Sequence, residues 1–156
     1  MLSQTSLKAI EHEVAKYPAD RKQAAVMAAL RIGQKEKGWV SDELIAYVAG
    51  LLELQSIQVL EVATFYSMYD LEPVGRHKIG LCTNISCMLR GSDEILAHLK
   101  EKLGIDVGET TADGRFTLEA LECLAACGGA PMMQVGDEYY ENLTPERVDT
   151  ILDGLE

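Results

Sequence analysis

Four cysteines in two tight pairs constrain this chain more than any other feature of it. They form Cys82-Thr-Asn-Ile-Ser-Cys87 and Cys123-Leu-Ala-Ala-Cys127, a C-x4-C and a C-x3-C with thirty-five residues between them. Four unrelated buried thiols would not be expected to fall in two such pairs. Each pair follows a strand-like stretch, and loops at strand ends of an open α/β sheet gather at one edge. Two neighbouring loops of that kind can bring four sulfurs together.

The compartment decides what those sulfurs do. Met1 to Leu7 is polar and shows no secretory pattern, so a reducing compartment is expected and disulfides are disfavoured. No apolar run approaches the ~20 residues that span a bilayer. The longest candidate, 44–54, is interrupted by Gly50 and Glu53. Direct membrane insertion is therefore not expected. The formal net charge of −11 argues against nucleic acid, whose phosphates would repel it, and against docking on anionic lipid. Most of these charges serve solubility.

The first half reads as helical. Leu7, Ile10, Val14 and Tyr17 repeat at helical spacing, and Pro18 closes the segment. Asp20 is expected to cap a second helix carrying Ala24, Met27, Leu30 and Ile32, which Gly38 should stop. Ser41 caps a third with Leu44, Val48 and Leu51. Ser56 caps a fourth with Val59, Val62, Phe65 and Tyr66. Short helices with brief connections suggest a small antiparallel bundle over residues 1–75. Trp39 reads as a packing anchor at a helix junction.

The pattern changes at Glu72-Pro73-Val74-Gly75. A strand is expected over His77 to Cys82, then a helix capped by Ser92, with Ile95, Leu96, Leu99 and Leu103 inward and Gly104 at its end. Asp113-Gly114 turns the chain into a strand with Phe116 and Leu118. Residues 132–141 read as a hairpin turning at Gly136-Asp137. Thr144 and Pro145 open a last helix. The order β-α-β-β-β-α over residues 76–156 makes a small α/β domain with helices on a sheet, so the chain as a whole is α+β/α/β.

Four thiolates match the demand of a [2Fe–2S] cluster, two per iron. Structural zinc also takes four thiolates and stays open on spacing alone, although its knuckles are typically C-x2-C. A thioredoxin-type dithiol would need C-x-x-C, which is absent. Around such a centre, backbone N–H donors stabilise an added electron, and carboxylates or burial oppose it. Gly128 and Gly129 allow close N–H approach, and Thr83, Asn84 and Ser86 add polar groups. Met88, Leu89, Met132 and Met133 either shield the centre or simply pack the core. Glu122 reads as a solvated strand residue. His12, His77 and His98 are scattered and read as surface or packing residues. No nucleotide-binding glycine motif is present.

Several stretches carry a family resemblance. Glu61-Val-Ala-Thr-Phe-Tyr66, Pro73-Val-Gly-Arg76, the two cysteine pairs, the run from Glu122 to Met133 and Tyr139-Tyr-Glu-Asn-Leu-Thr-Pro-Glu146 recur in one order. Together they resemble the 24-kDa subunit family of respiratory complex I (NADH:quinone oxidoreductase), whose bacterial members are its E-type subunits. The resemblance implies an N-terminal antiparallel helical bundle followed by a thioredoxin-like [2Fe-2S] ferredoxin domain. It implies that Cys82, Cys87, Cys123 and Cys127 ligate one [2Fe–2S] cluster. FMN and NADH would be bound by a flavoprotein partner, not by this chain, within a larger respiratory complex. That places it in the peripheral arm at the cytoplasmic face of the inner membrane. A temporary one-electron store beside a two-electron flavin is one implied role. Similar chains serve NAD-linked hydrogenases and formate dehydrogenases, and the residues do not separate these. Ala130-Pro131 sits where thioredoxin-like folds often place a cis-proline; its isomer is open.

Overall fold

A computed structural model describes residues 1–155. The chain forms two compact units, Met1–Pro73 and Val74–Glu156. Among the described residues, seven α-helices and one mixed four-stranded sheet make up the regular structure, with two short 3₁₀ turns.

The first unit is built from helices. Ser3 caps α1 (Gln4–Val14) by accepting from the Ser6 amide. Its own amide and hydroxyl reach the Glu36 carboxylate at 2.8–3.0 Å, which ties α1 to the second helix. Asp20 does not cap that helix. The chain instead makes a 3₁₀ turn over Ala19–Ala25, with Arg21 outside helical geometry, before α2 (Val26–Lys37) begins. Gly38 ends α2 at φ 88°, where a residue without Cβ is at ease. Ser41 caps α3 (Asp42–Leu52) through the Leu44 amide at 3.2 Å. The cap of α4 (Ser56–Phe65) is Gln55, one residue before the serine expected; Gln58 reaches back to the Gln55 amide. Val26, Leu30, Val40, Val48, Leu52 and Val59 form the fully buried centre. Each such side chain contributes about 1.5–3 kcal/mol of burial. The apolar face expected on α4 stops short of its end: Phe65 is 78% exposed, and Tyr66 follows it out.

The second unit carries the sheet, in the order β2-β1-β3-β4. β1 (His77–Cys82) lies parallel to β2 (Phe116–Leu121) and antiparallel to β3 (Met133–Val135). β3 and β4 (Glu138–Tyr140) form the expected hairpin, with Gly136 at φ 60° in its turn. A parallel neighbour requires a crossover, and two helices supply it. They are α5 (Ile85–Leu89) and α6 (Ser92–Leu103). Gly91, not Ser92, precedes α6 as its cap residue; Ser92 is fully buried in its first turn. Thr144 caps α7 (Pro145–Gly154), with proline at the first helical position. Ile79, Leu81, Leu99, Leu118, Met133 and Val148 are fully buried in this unit's core. Gly80 lets the Leu121 side chain cross β1, in space a Cβ would occupy.

Candidate metal centre

The sheet register puts both cysteine loops at one edge. In the parallel pair, Cys82 stands opposite Leu121, so β1 and β2 end together. The first loop leaves from Cys82 and the second begins at Glu122. The antiparallel neighbour meets the same edge, since the Cys82 amide donates to the Met132 carbonyl at 3.1 Å.

The first loop closes into α5, a five-residue helix that periodicity is too short to reveal. Asn84 starts it, accepting from the Ile85 amide at 2.7 Å. One turn of helix carries Cys87 back towards Cys82. Both thiols are buried, and they pack with Leu124, Ala130 and Met132. Thr83 closes the loop onto β2 by donating to the Leu121 carbonyl at 3.2 Å.

The second loop is open. Cys123 and Cys127 are exposed. Ala125 takes φ 58°, a left-handed conformation that a Cβ disfavours, and its amide donates to Cys123 Sγ at 3.3 Å. Cys127 begins a 3₁₀ turn that runs to Gly129.

The thiols sense one another. Burial pushes Cys82 up, yet the amides of Asn84 and Leu124 and the Cys87 side chain outweigh it. The Cys82 pKa is left below that of an ordinary thiol, with the Glu122 carboxylate opposing. Cys87 is pushed up to about 11, first by burial, then by Cys82, with Cys127 adding to the repulsion and the Met132 amide resisting. Backbone amides thus act on Cys82, Cys87 and Cys123 before any metal is considered.

Among the described residues, no three His, Cys, Asp or Glu side chains converge as they would on a single metal ion. A [2Fe–2S] cluster asks for something else: two thiolates on each of two irons. Two thiol pairs on adjacent strand ends, with amides on three sulfurs, meet that demand in kind.

The neighbours divide differently from what the sequence suggests. Met132 lies against the thiols and is fully buried. Met133 belongs to the main core, while Met88 and Leu89 are exposed at 46% and 76%. Glu122 is exposed, and its carbonyl lies 3.9 Å from Cys82 Sγ. Gly129 serves a different purpose from the one expected: its amide donates to Ala126, and the Glu141 side chain fills the space beside it. The Ala130-Pro131 bond is cis. His98 pairs with Asp149 at 2.8 Å, and the His77 ring stands 5.6 Å from that of Phe116.

Comparisons with known proteins agree on kind. The family model described as thioredoxin-like [2Fe-2S] ferredoxin matches residues 10–156. The E-type subunit of NADH-quinone oxidoreductase from Rickettsia bellii (strain RML369-C) is 45% identical over 96% of this chain and 90% of its own length. The second such E-type subunit of Rhizobium meliloti (strain 1021) is 48% identical over 97% and 89%. Among solved structures, an NAD+-reducing [NiFe]-hydrogenase in the air-oxidized state aligns at a TM-score of 0.74 and 20% identity. It covers 83% of this chain, which spans 22% of that one, so the likeness is one of fold.

Proposed function

The chain belongs to the thioredoxin-like [2Fe-2S] ferredoxin family, and on that premise we propose that it is the one-electron carrier subunit of an NADH-quinone oxidoreductase. Cys82, Cys87, Cys123 and Cys127 hold one [2Fe–2S] cluster in this reading. The carrying observation is the register that ends β1 and β2 together and sets two thiol pairs at one sheet edge.

When bound, the cluster supplies a site that gains or loses a single electron. This chain's residues set the conditions. The Asn84, Leu124, Met132 and Ala125 amides favour negative charge on the sulfurs. Met132 and Leu124 exclude water from the buried pair. The exposed second pair offers the open side to a partner. That partner is the flavoprotein that holds FMN and NADH, inside a larger respiratory complex. In this reading the helical segment through residue 75 is an antiparallel bundle that docks it, and residues 76–156 are the ferredoxin domain. No helix among the described residues is long and apolar enough to cross a membrane. The family resemblance puts the chain, in this reading, in the peripheral arm at the cytoplasmic face of the inner membrane. The complex I reading is preferred over the hydrogenase one because relatives at 45–48% identity carry the former name. The hydrogenase match shares the fold at 20%.

Iron and sulfide analysis of anaerobically prepared chain tests the reading. About two irons and two sulfides per chain, with a red-brown colour that dithionite bleaches, are expected. Colourless material that holds zinc and takes up no iron on reconstitution would overturn it.

A further inference from the structure

Glu141 follows the hairpin, and its side chain lies against Gly129, two residues past the second cysteine loop. The Asn142 amide donates to the Gly129 carbonyl at 2.6 Å, and the Leu143 amide to that of Pro131 at 2.9 Å. These two bonds clamp the segment after β4 onto residues 129–131, at the end of the turn that begins at Cys127. A Cβ on Gly129 would stand 2.6 Å from Glu141 Cβ and run into its carboxylate. Glycine is therefore needed at 129 to admit the glutamate. Gly129 follows Cys127 by two positions, a reach of at most about 7 Å. The carboxylate's distance to the cysteine is therefore bounded well inside the Debye length of about 30 Å at 0.01 M ionic strength, where its charge is little screened.

We propose that the Glu141 carboxylate is a fixed negative charge that lowers the reduction potential of the centre on the cysteine loops. The inference rests on the cluster assignment made above. Reduction adds one electron, donated by dithionite in a titration, and breaks no bond. Four thiolates already make the oxidised centre formally dianionic, so a resident carboxylate opposes the added charge. Glu122, beside Cys123, acts in the same sense from the other end of the loop. The Glu141 side chain is exposed, so water and salt moderate its effect.

The test is a redox titration of the iron-loaded chain at low salt, followed by electron paramagnetic resonance. Glu141→Asp keeps the charge and should keep the wild-type midpoint. Glu141→Gln should raise the reduced-to-oxidised ratio at a fixed potential roughly twofold to tenfold, which is about 18 to 59 mV for one electron. Glu141→Lys should move it about twice as far. Glu141→Ala makes the same charge change should the glutamine variant fail to bind iron. A midpoint that ignores the charge, or an aspartate variant shifted as far as the glutamine one, overturns the inference and leaves the cluster assignment standing. Wild-type chain that takes up no iron and sulfide overturns both.

Discussion

The Cys82–Cys87 loop buries both its thiols and winds them onto a short helix, whereas the Cys123–Cys127 loop exposes both on a segment with Ala125 at φ 58°. The first loop is part of a core: its sulfurs pack with Leu124, Ala130 and Met132. The second is shaped by backbone geometry and reaches solvent. The contrast teaches that the two pairs do different work. The buried pair contributes to the fold whether or not metal is present. The exposed pair is held by backbone geometry and is open to solvent.

That contrast can be broken most forcefully at Met132. Met132→Ala removes a fully buried side chain from the cluster that seats the first loop. Urea unfolding of the iron-free chain should show a loss of about 2–5 kcal/mol. The cysteines themselves come next. Cys87→Ser places a hydroxyl in an apolar site and should cost the iron-free chain about 1–3 kcal/mol. Cys123→Ser should stay within about 0.5 kcal/mol. Equal losses would erase the distinction, although both variants should fail to hold a full cluster. A smaller effect sharpens the second loop: Ala125→Gly relieves the left-handed strain and should gain up to about 1 kcal/mol in the same assay.

The smallest effect lies outside both loops and calibrates them. Hydrogen bonds from Ser6 and Ser3 lower the Glu36 carboxyl from 4.5 to about 2. Between those values the unfolded chain binds more protons, so stability rises with pH. Glu36's contribution is fully present above about pH 4.5 and is lost as pH falls through about 2. Glu36→Gln should flatten that acid slope in a pH series of unfolding curves and leave the neutral-pH ranking of the loop variants unchanged.

Much of the fold was legible because its signals are local. Gly38 and Gly104 end helices, Ser41 and Thr144 cap them, and Gly136-Asp137 turns the hairpin, each through its own backbone chemistry. Asp20, Ser56 and Ser92 do not cap, because a residue able to cap does so only where its own backbone is non-helical and its helix begins there. At each, the chain starts its turn elsewhere. The helix α5 escaped notice because five residues show no period. Phe65 reads as core because periodicity counts apolar residues and does not show which of them another segment covers. At the candidate site the spacing of cysteines was visible. The burial of one pair, the position of Met132 and the seat of Glu141 on Gly129 arise from contacts between distant segments, which no spacing encodes.

X-ray absorption at the iron edge of the loaded chain tests the central claim most directly. The account predicts iron surrounded by four sulfurs, two of them bridging sulfide, with a single iron neighbour. Iron bound through oxygen or nitrogen, or a lone metal without a metal neighbour, would contradict it.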